Sequence, residues 1–405
     1  MAEKKIPVDE LRSGMFVVAL DRPWFDTPFG AGGFEIRGQE DIAELRRYCR
    51  HVFVEVEDAV EDTGEQETAP DQEAAVENAL RRAEETLSRF RALLGDLFRE
   101  AAGSPLASLA GIDALMPGLL DGIDEDSDAH IWQARLERGC CYDVAHALDC
   151  CVLAVAFASH LGWSRQACHT LGKAALLLDI GMARVPRHIL DKPGRLTAEE
   201  FAAVQRHVLY AQEILAQAAG CGDEVLAIVR NHHERINGSG YPQGLQGEDI
   251  SLPSQLVAMV DCYTAMTSSR SYRDARSPYQ VLNQLYGWRD SYFRGDLLEP
   301  FIRFIGIYPT ASLVELTNGE VGAVLGQNRP RSLRPKVLLM LEGSSAASPC
   351  FLDLAAEENS DVEVRRGIER PPPGMALDAG LWRGLGRELS RGGTGQPREG
   401  AFTGR

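Results

Sequence analysis

The sequence predicts a mainly α protein: an all-helical middle with a small α+β module before it and a small β appendage after it. Three observations carry this expectation. From about Asp128 to Pro309, apolar residues recur at helical spacing between Gly and Pro loops, with no sustained alternation. Ahead of it, Phe16–Leu20 and His51–Val56 read as strands around one helical stretch, Glu40 to Arg50. Behind it, Ser312 to Leu325 reads as two strands turning at Asn318-Gly319, a strong hairpin signal, and Lys336 to Leu341 adds a third.

Taken in order, residues 1–56 form the α+β module. Residues 57–73 read as an acidic linker, because Glu55 to Glu77 holds ten acidic residues and no Lys or Arg, with Thr63-Gly64 and Pro70 as breakers. Residues 74–127 are a helical adaptor, with Leu80, Leu87, Leu94 and Leu97 spaced on one helix face and a second apolar helical region from Pro105 to Ile123. The helical domain takes 128–310 and the β appendage 311–355. Residues 356–405 are a tail, expected to be disordered from about 383, where Gly and Arg dominate and large apolar residues are scarce.

Composition narrows the function. The chain has 405 residues and a formal net charge of −17, so no broad electrostatic footprint for a nucleic-acid polymer is expected, and any nucleotide site must be local. The N-terminal stretch lacks the apolar core of a signal peptide, and runs such as Ala174 to Leu178 are far short of the ~20 residues of a membrane span, so a cytoplasmic protein without a span is expected. The nine cysteines are read as thiols. Cys140-Cys141 and Cys150-Cys151 lack zinc-knuckle spacing and are read as small buried hydrophobes.

Four histidines and two aspartates fall where helices can gather them. His146 lies in a helix beginning near Tyr142, and Asp179 stands just before Gly181. His207 follows in a helix opened by a Thr197-x-x-Glu200 capping box. Val225, Ile228, Val229 and His232 share one apolar stripe, which turns His232 inward beside His233. Asp261 sits inside Leu256 to Met266. Imidazoles with bridging carboxylates suit borderline divalent metals, and paired ions of this kind hydrolyse phosphodiesters. Any one of these histidines alone reads more simply as a satisfied core or surface residue. The adjacent pair followed by the Gly-rich stretch Asn237 to Pro242 favours a site.

On these residues the sequence resembles the HD-GYP proteins, HD-superfamily phosphodiesterases that hydrolyse the bacterial messenger cyclic di-GMP. The resemblance covers roughly residues 130–310 and shows in Ala174–Gly181, Lys192–Thr197, the run from His232 to Ile250, Asp261 with Ala265–Ser268, and Arg270–Arg273. The opening module resembles the short N-terminal domain found ahead of some members. The resemblance implies an HD-type helical domain and a divalent metal such as Fe or Mn. Metal ligands would be His146, Asp179, His207, His232, His233 and Asp261, with Asp179 also catalytic. One metal is implied at Asp179, His207, His232 and His233, a complete set. A second is implied at His146, Asp179, Asp261 and one more histidine, but this chain has Leu178 there, so that site is incomplete. Met182 stands where the family usually has Lys, and Tyr142 stands where three-metal members have an acidic residue. Arg270 and Arg273 match phosphate-contacting positions. Gly240, Tyr241 and Pro242 match a protein-facing loop whose partners include GGDEF-domain proteins. Two functions follow: a cyclic di-GMP phosphodiesterase weakened by Leu178 and Met182, or a catalytically silent cyclic di-GMP sensor or docking module. A phosphohydrolase for another nucleotide is disfavoured by the kept Gly-Tyr-Pro loop.

Overall fold

The computed structural model describes residues 2–20, 27, 34–56, 69–136, 142–192, 194–268, 275–328, 333–340, 350–356 and 359–368. Its N-terminal module is a four-stranded sheet of β1 (Ala2–Pro7), β2 (Phe16–Leu20), β3 (Phe34–Glu35) and β4 (His51–Val56), in the order β1-β4-β2-β3. Helix α1 (Gln39–Tyr48) lies between β3 and β4 in the chain, and its Ile42 and Leu45 join Val17, Val52 and Val54 in a separate small core. Strand β1, which the sequence reading did not assign, pairs antiparallel with β4 from Ala2↔Val56 to Pro7↔His51.

Helix α2 (Ala69–Ala101) begins inside the stretch read as linker. Pro70, taken as a breaker, stands at the helix start, where its missing N–H costs nothing. The remaining linker residues, 57–68, lie outside the described residues. Leu87, Phe90 and Leu94 are fully buried along one face, each contributing about 1.5–3 kcal/mol by leaving water. That face enters the same core as α3 (Ala110–Glu125), α5 (Tyr142–His160), α6 (Arg165–Leu177), α11 (Leu252–Thr267), α12 (Pro278–Gly287) and α13 (Gly295–Ile305). Helices α2 and α3 are thus packed into the helical domain's core.

Helix α5 is long and apolar enough to cross a membrane by composition, although Asp143, His146 and Asp149 interrupt its apolar residues. It is a core helix: Val144 and His146 to Ala158 are all buried, and it packs against α4 (Ser127–Leu136), α6 and α11.

The capping box forms as expected: the Thr197 hydroxyl accepts from Glu200 N, and the Glu200 carboxylate accepts from Thr197 N. The helix it opens does not reach His207. After the short α7 (Arg187–Leu190), α8 (Ala198–Gln205) ends, the chain turns at Arg206, and His207 begins α9 (His207–Leu215). Helix α10 (Asp223–Asn231) follows and delivers His232 at its end.

The C-terminal sheet is larger than the sequence suggested. It joins β5 (Leu313–Leu316), β6 (Val321–Gly326), β7 (Lys336–Met340), β8 (Cys350–Asp353) and β9 (Val364–Ile368) in the order β8-β7-β6-β5-β9. Strand β9 falls in the stretch assigned to the tail, where Val364 and Ile368 are too few apolar residues to announce a strand that gains its hydrogen bonds from β5. The stretch from 383 lies outside the described residues. Gly319 at φ +88° makes the β5–β6 turn, a conformation that favours glycine. The sheet docks on α2 and α4, where Leu80 and Trp132 meet Leu325 and Leu338, and the Asp128 carboxylate accepts from Thr310 Oγ1 (2.8 Å) and Gln327 N (3.0 Å).

Candidate metal centre

The helical domain brings the six predicted residues together. Asp179 follows α6 and caps a 3-10 helix, Ile180–Arg184, that lies against the start of α9. Gly181 permits that approach: a Cβ there would meet the backbone of His207 and lie 2.7 Å from Ala211 N. Asp179 Oδ1 is consequently 3.5 Å from His207 Nε2.

Backbone carbonyls aim two of the imidazoles. His207 Nδ1 donates to Val204 O (2.8 Å), and His232 Nδ1 donates to Val229 O (2.6 Å). With each proton fixed on Nδ1, both Nε2 atoms present lone pairs, and they face each other 3.4 Å apart. Two acceptors in that relation are satisfied by a cation between them. One donor atom from each of Asp179, His207, His232 and His233 lies within 4.8 Å of the others.

Burial opposes charge on His232 and, with His232 as neighbour, holds His233 well below the ordinary imidazole range. Both are neutral at pH 7, the form that binds metal. For Asp261, burial alone would raise the carboxyl, but the bonded His146, with His233 and His232 nearby, holds it far below the usual carboxylate range. His232 and His233 thus stand as neutral imidazoles near a carboxylate, Asp261, that stays ionised, a donor combination suited to a divalent ion.

The second half lies between α5 and α11. His146 Nε2 is 2.9 Å from Asp261 Oδ1 and 3.8 Å from Asp179 Oδ2. Asp179 thus turns one oxygen toward His207 and the other toward His146, the disposition of a bridging carboxylate. Burial works against a charged His146, but Cys150, Tyr142 and the Asp261 hydrogen bond outweigh it and hold its pKa well above the ordinary value. Tyr142 stacks on its ring at 5.5 Å between centroids.

The sequence reading missed Cys150. It is buried as expected of a small hydrophobe, yet its sulfur lies 3.6 Å from His146 Nε2 and joins His146 and Asp261 in a second cluster of donor atoms. The available signal was its position four residues after His146, on the same helix face. Leu178, where the resemblance implied an imidazole, is buried in the main core.

The loop from Gly238 to Gly247 is pinned from beneath. Buried Glu234 accepts backbone N–H bonds from Gln243 (2.7 Å), Gly244 (3.2 Å) and Leu245 (3.1 Å). At Gly240 a Cβ would come within 2.5 Å of Arg235 N, so only glycine allows the loop to pass so close. Tyr241 then stacks on His233 with centroids 4.6 Å apart, and Pro242 follows through a cis peptide. Arg270 and Arg273 lie outside the described residues.

Comparison with known proteins gives the family. Residues 135–297 match the HD domain, and residues 3–109 match a domain of unknown function, DUF3391. A cyclic di-GMP phosphodiesterase of Pseudomonas aeruginosa is 32% identical over 357 residues, covering 84% of this chain and 86% of that protein. The chain belongs to the HD-GYP family. Two further relatives share a smaller part of this HD-GYP chain. A 3'3'-cGAMP-specific phosphodiesterase of Vibrio cholerae is 37% identical over 135 residues, 31% of this chain and 29% of that protein. A cyclic di-GMP phosphodiesterase response regulator of Xanthomonas campestris is 35% identical over 147 residues, 36% of this chain and 39% of that protein. The HD family is metal-dependent, and the two donor clusters are where this HD-GYP protein offers candidate ligands.

Proposed function

We propose that this protein is a metal-dependent phosphodiesterase that hydrolyses cyclic di-GMP. The observation that carries the reading is the pair of facing Nε2 atoms of His207 and His232, ringed by His233 and Asp179 and joined through Asp179 to a second donor cluster. Asp179, His207, His232 and His233 would hold a first ion of iron or manganese type, and His146, Asp179 and Asp261 would contribute to a second. Ions held there supply an acidified water nucleophile and charge compensation for the phosphate. The chain's own residues arrange the rest. Asp179 reaches between the two clusters, Asp261 offers negative charge beside it, and the carbonyls of Val204 and Val229 hold two imidazoles in the binding tautomer. Tyr241 covers His233, while burial followed by the charges of Asp261 and Asp179 keeps its phenol protonated. Arg270 and Arg273 are proposed to hold the phosphate from the facing side, and the Gly240-Tyr241-Pro242 surface to receive a GGDEF-domain partner.

The relative that spans most of the chain supports cyclic di-GMP as the substrate, whereas the Vibrio relatives raise the mixed guanine-adenine dinucleotide as its rival. Competition decides between them. The manganese-loaded protein, given equal cyclic di-GMP and 3'3'-cGAMP, is expected to consume cyclic di-GMP faster. Faster loss of 3'3'-cGAMP would move the substrate assignment. Binding of cyclic di-GMP with no cleavage of either would replace the enzyme by the receptor that Leu178 suggests.

A further inference from the structure

We propose that Arg235 is the positioning residue that aims His233 into the histidine cluster. The proposal rests on reading that cluster as a metal centre, and it accounts for a difference among the three imidazoles that would hold the first ion.

Two of those rings are aimed by their own Nδ1 atoms, His207 through Val204 O and His232 through Val229 O. His233 has no such bond. Among the described residues no hydrogen bond reaches its ring, and Asp261 Oδ2, its closest carboxylate oxygen, stands 4.0 Å from Nδ1. With no protein partner on the ring, its direction comes from the backbone that carries it and from the side chains packed against it.

Arg235 holds that backbone. Past the end of α10, the carbonyls of His232, His233 and Glu234 lie beyond the reach of helical N–H groups. Arg235 Nη1 donates to His232 O (3.1 Å) and to Glu234 O (2.8 Å), and so takes the carbonyls on either side of His233. Nη1 carries two hydrogens, one for each. The carbonyl between them, that of His233 itself, accepts from Tyr241 N (3.3 Å), and Tyr241 stacks its ring on that of His233.

The guanidinium in turn has a fixed seat. It lies over the ring of Phe293, 5.2 Å from the centroid, and Phe293 is buried in the connection between α12 and α13. Ile236 N donates to Tyr292 O (3.3 Å), which ties the same two stretches together a second time. Arginine suits the position because a planar cation can rest on an aromatic face while one nitrogen at its edge donates twice. A lysine ammonium is a point charge on a flexible stem and cannot do both. A connection that contains none of the six predicted ligands thus supports the site through one side chain.

Arg235→Lys keeps the charge and removes both the paired donors and the planar group. Full-length, metal-stripped protein with labelled histidines reads the result through its ring resonances. Those of His233 are expected to shift or broaden in the variant, while those of His207 and His232, each bonded to a carbonyl of its own, stay in place. Movement of all three, or of none, overturns the proposal. Cobalt titration reads the consequence: the variant is expected to bind the first ion about tenfold more weakly, as when a group behind a metal's ligands is changed, and an unchanged affinity overturns the proposal. In a His233→Ala background the same exchange is expected to cost nothing further; an equal loss there would show general damage in place of positioning. Uptake of no cobalt by the unmodified protein overturns the metal-centre reading, and the ring resonances then still decide whether Arg235 aims His233. Should Arg235→Lys not fold, Phe293→Leu takes away the aromatic seat and is expected to move the His233 resonances in the same way, and their staying in place refutes the proposal.

Discussion

Gly181→Ala tests the idea that a single backbone contact sets the distance between Asp179 and His207. The new Cβ would run into the His207 carbonyl and lie 2.7 Å from Ala211 N, both backbone atoms that no rotamer change can move. Restoring an ordinary separation of about 3.5 Å from Ala211 N alone requires the 3-10 segment to retreat by about 0.8 Å, and clearing the nearer His207 carbonyl requires more. Asp179 rides on that segment, so its 3.5 Å approach to His207 widens by a similar amount. Overpacking of this kind costs about 1–3 kcal/mol of stability. A displacement near 1 Å in catalytic groups costs about 100-fold in turnover. The assay is thermal melting together with hydrolysis of cyclic di-GMP by the manganese-loaded variant. Gly95→Ala is the control, because nothing lies within 4 Å of its Cβ and it sits inside α2, where alanine stabilises by about 1 kcal/mol. A Gly181→Ala protein that melts and turns over like the unmodified one would refute the reasoning.

Glu234→Ala removes the acceptor of three loop N–H groups and is expected to cost about 3 kcal/mol, read by denaturant unfolding; a loss below about 1 kcal/mol would show that the loop holds its shape without it. Burial keeps His232 and His233 below the ordinary imidazole value of 6.5, so below pH 6.5 the unfolded chain binds protons that the folded chain refuses. The contribution of these two to the stability of the metal-stripped protein is therefore complete above pH 6.5 and falls as pH drops toward the lowered values. His146, with its raised pKa, works the other way: its contribution is complete below pH 6.5 and is lost as pH rises above it, so the acid side isolates His232 and His233. A melting temperature that does not fall as pH drops below 6.5 would contradict this. Leu178→His supplies the imidazole that the family resemblance implies there and is expected to tighten the second ion about tenfold or more by cobalt titration; no gain would show that position 178 does not serve that ion.

Much of the site was legible because its ligands carry local signals. His232 follows an apolar stripe, His207 follows a capping box by ten residues, and Asp179 precedes a glycine, so each could be placed on a helix end before any contact was known. What the sequence hid depends on distant partners. The turn at Arg206 separates α8 from α9 with no Gly or Pro to announce it. Strands β8 and β9 are defined by pairing with β7 and β5, not by their own alternation. Cys150 looked like core because it is core by burial. Only the approach of α11 to α5, which sets Asp261 and Thr264 beside it, gives the sulfur a polar setting.

Metal content and turnover, measured on one sample of the full chain, test the central claim most directly. The protein is loaded with manganese and zinc, freed of excess ions, analysed for metal, and given cyclic di-GMP. Two ions per chain with cleavage of the dinucleotide is the predicted result. No bound metal, or cyclic di-GMP held without cleavage at full metal occupancy, would contradict it.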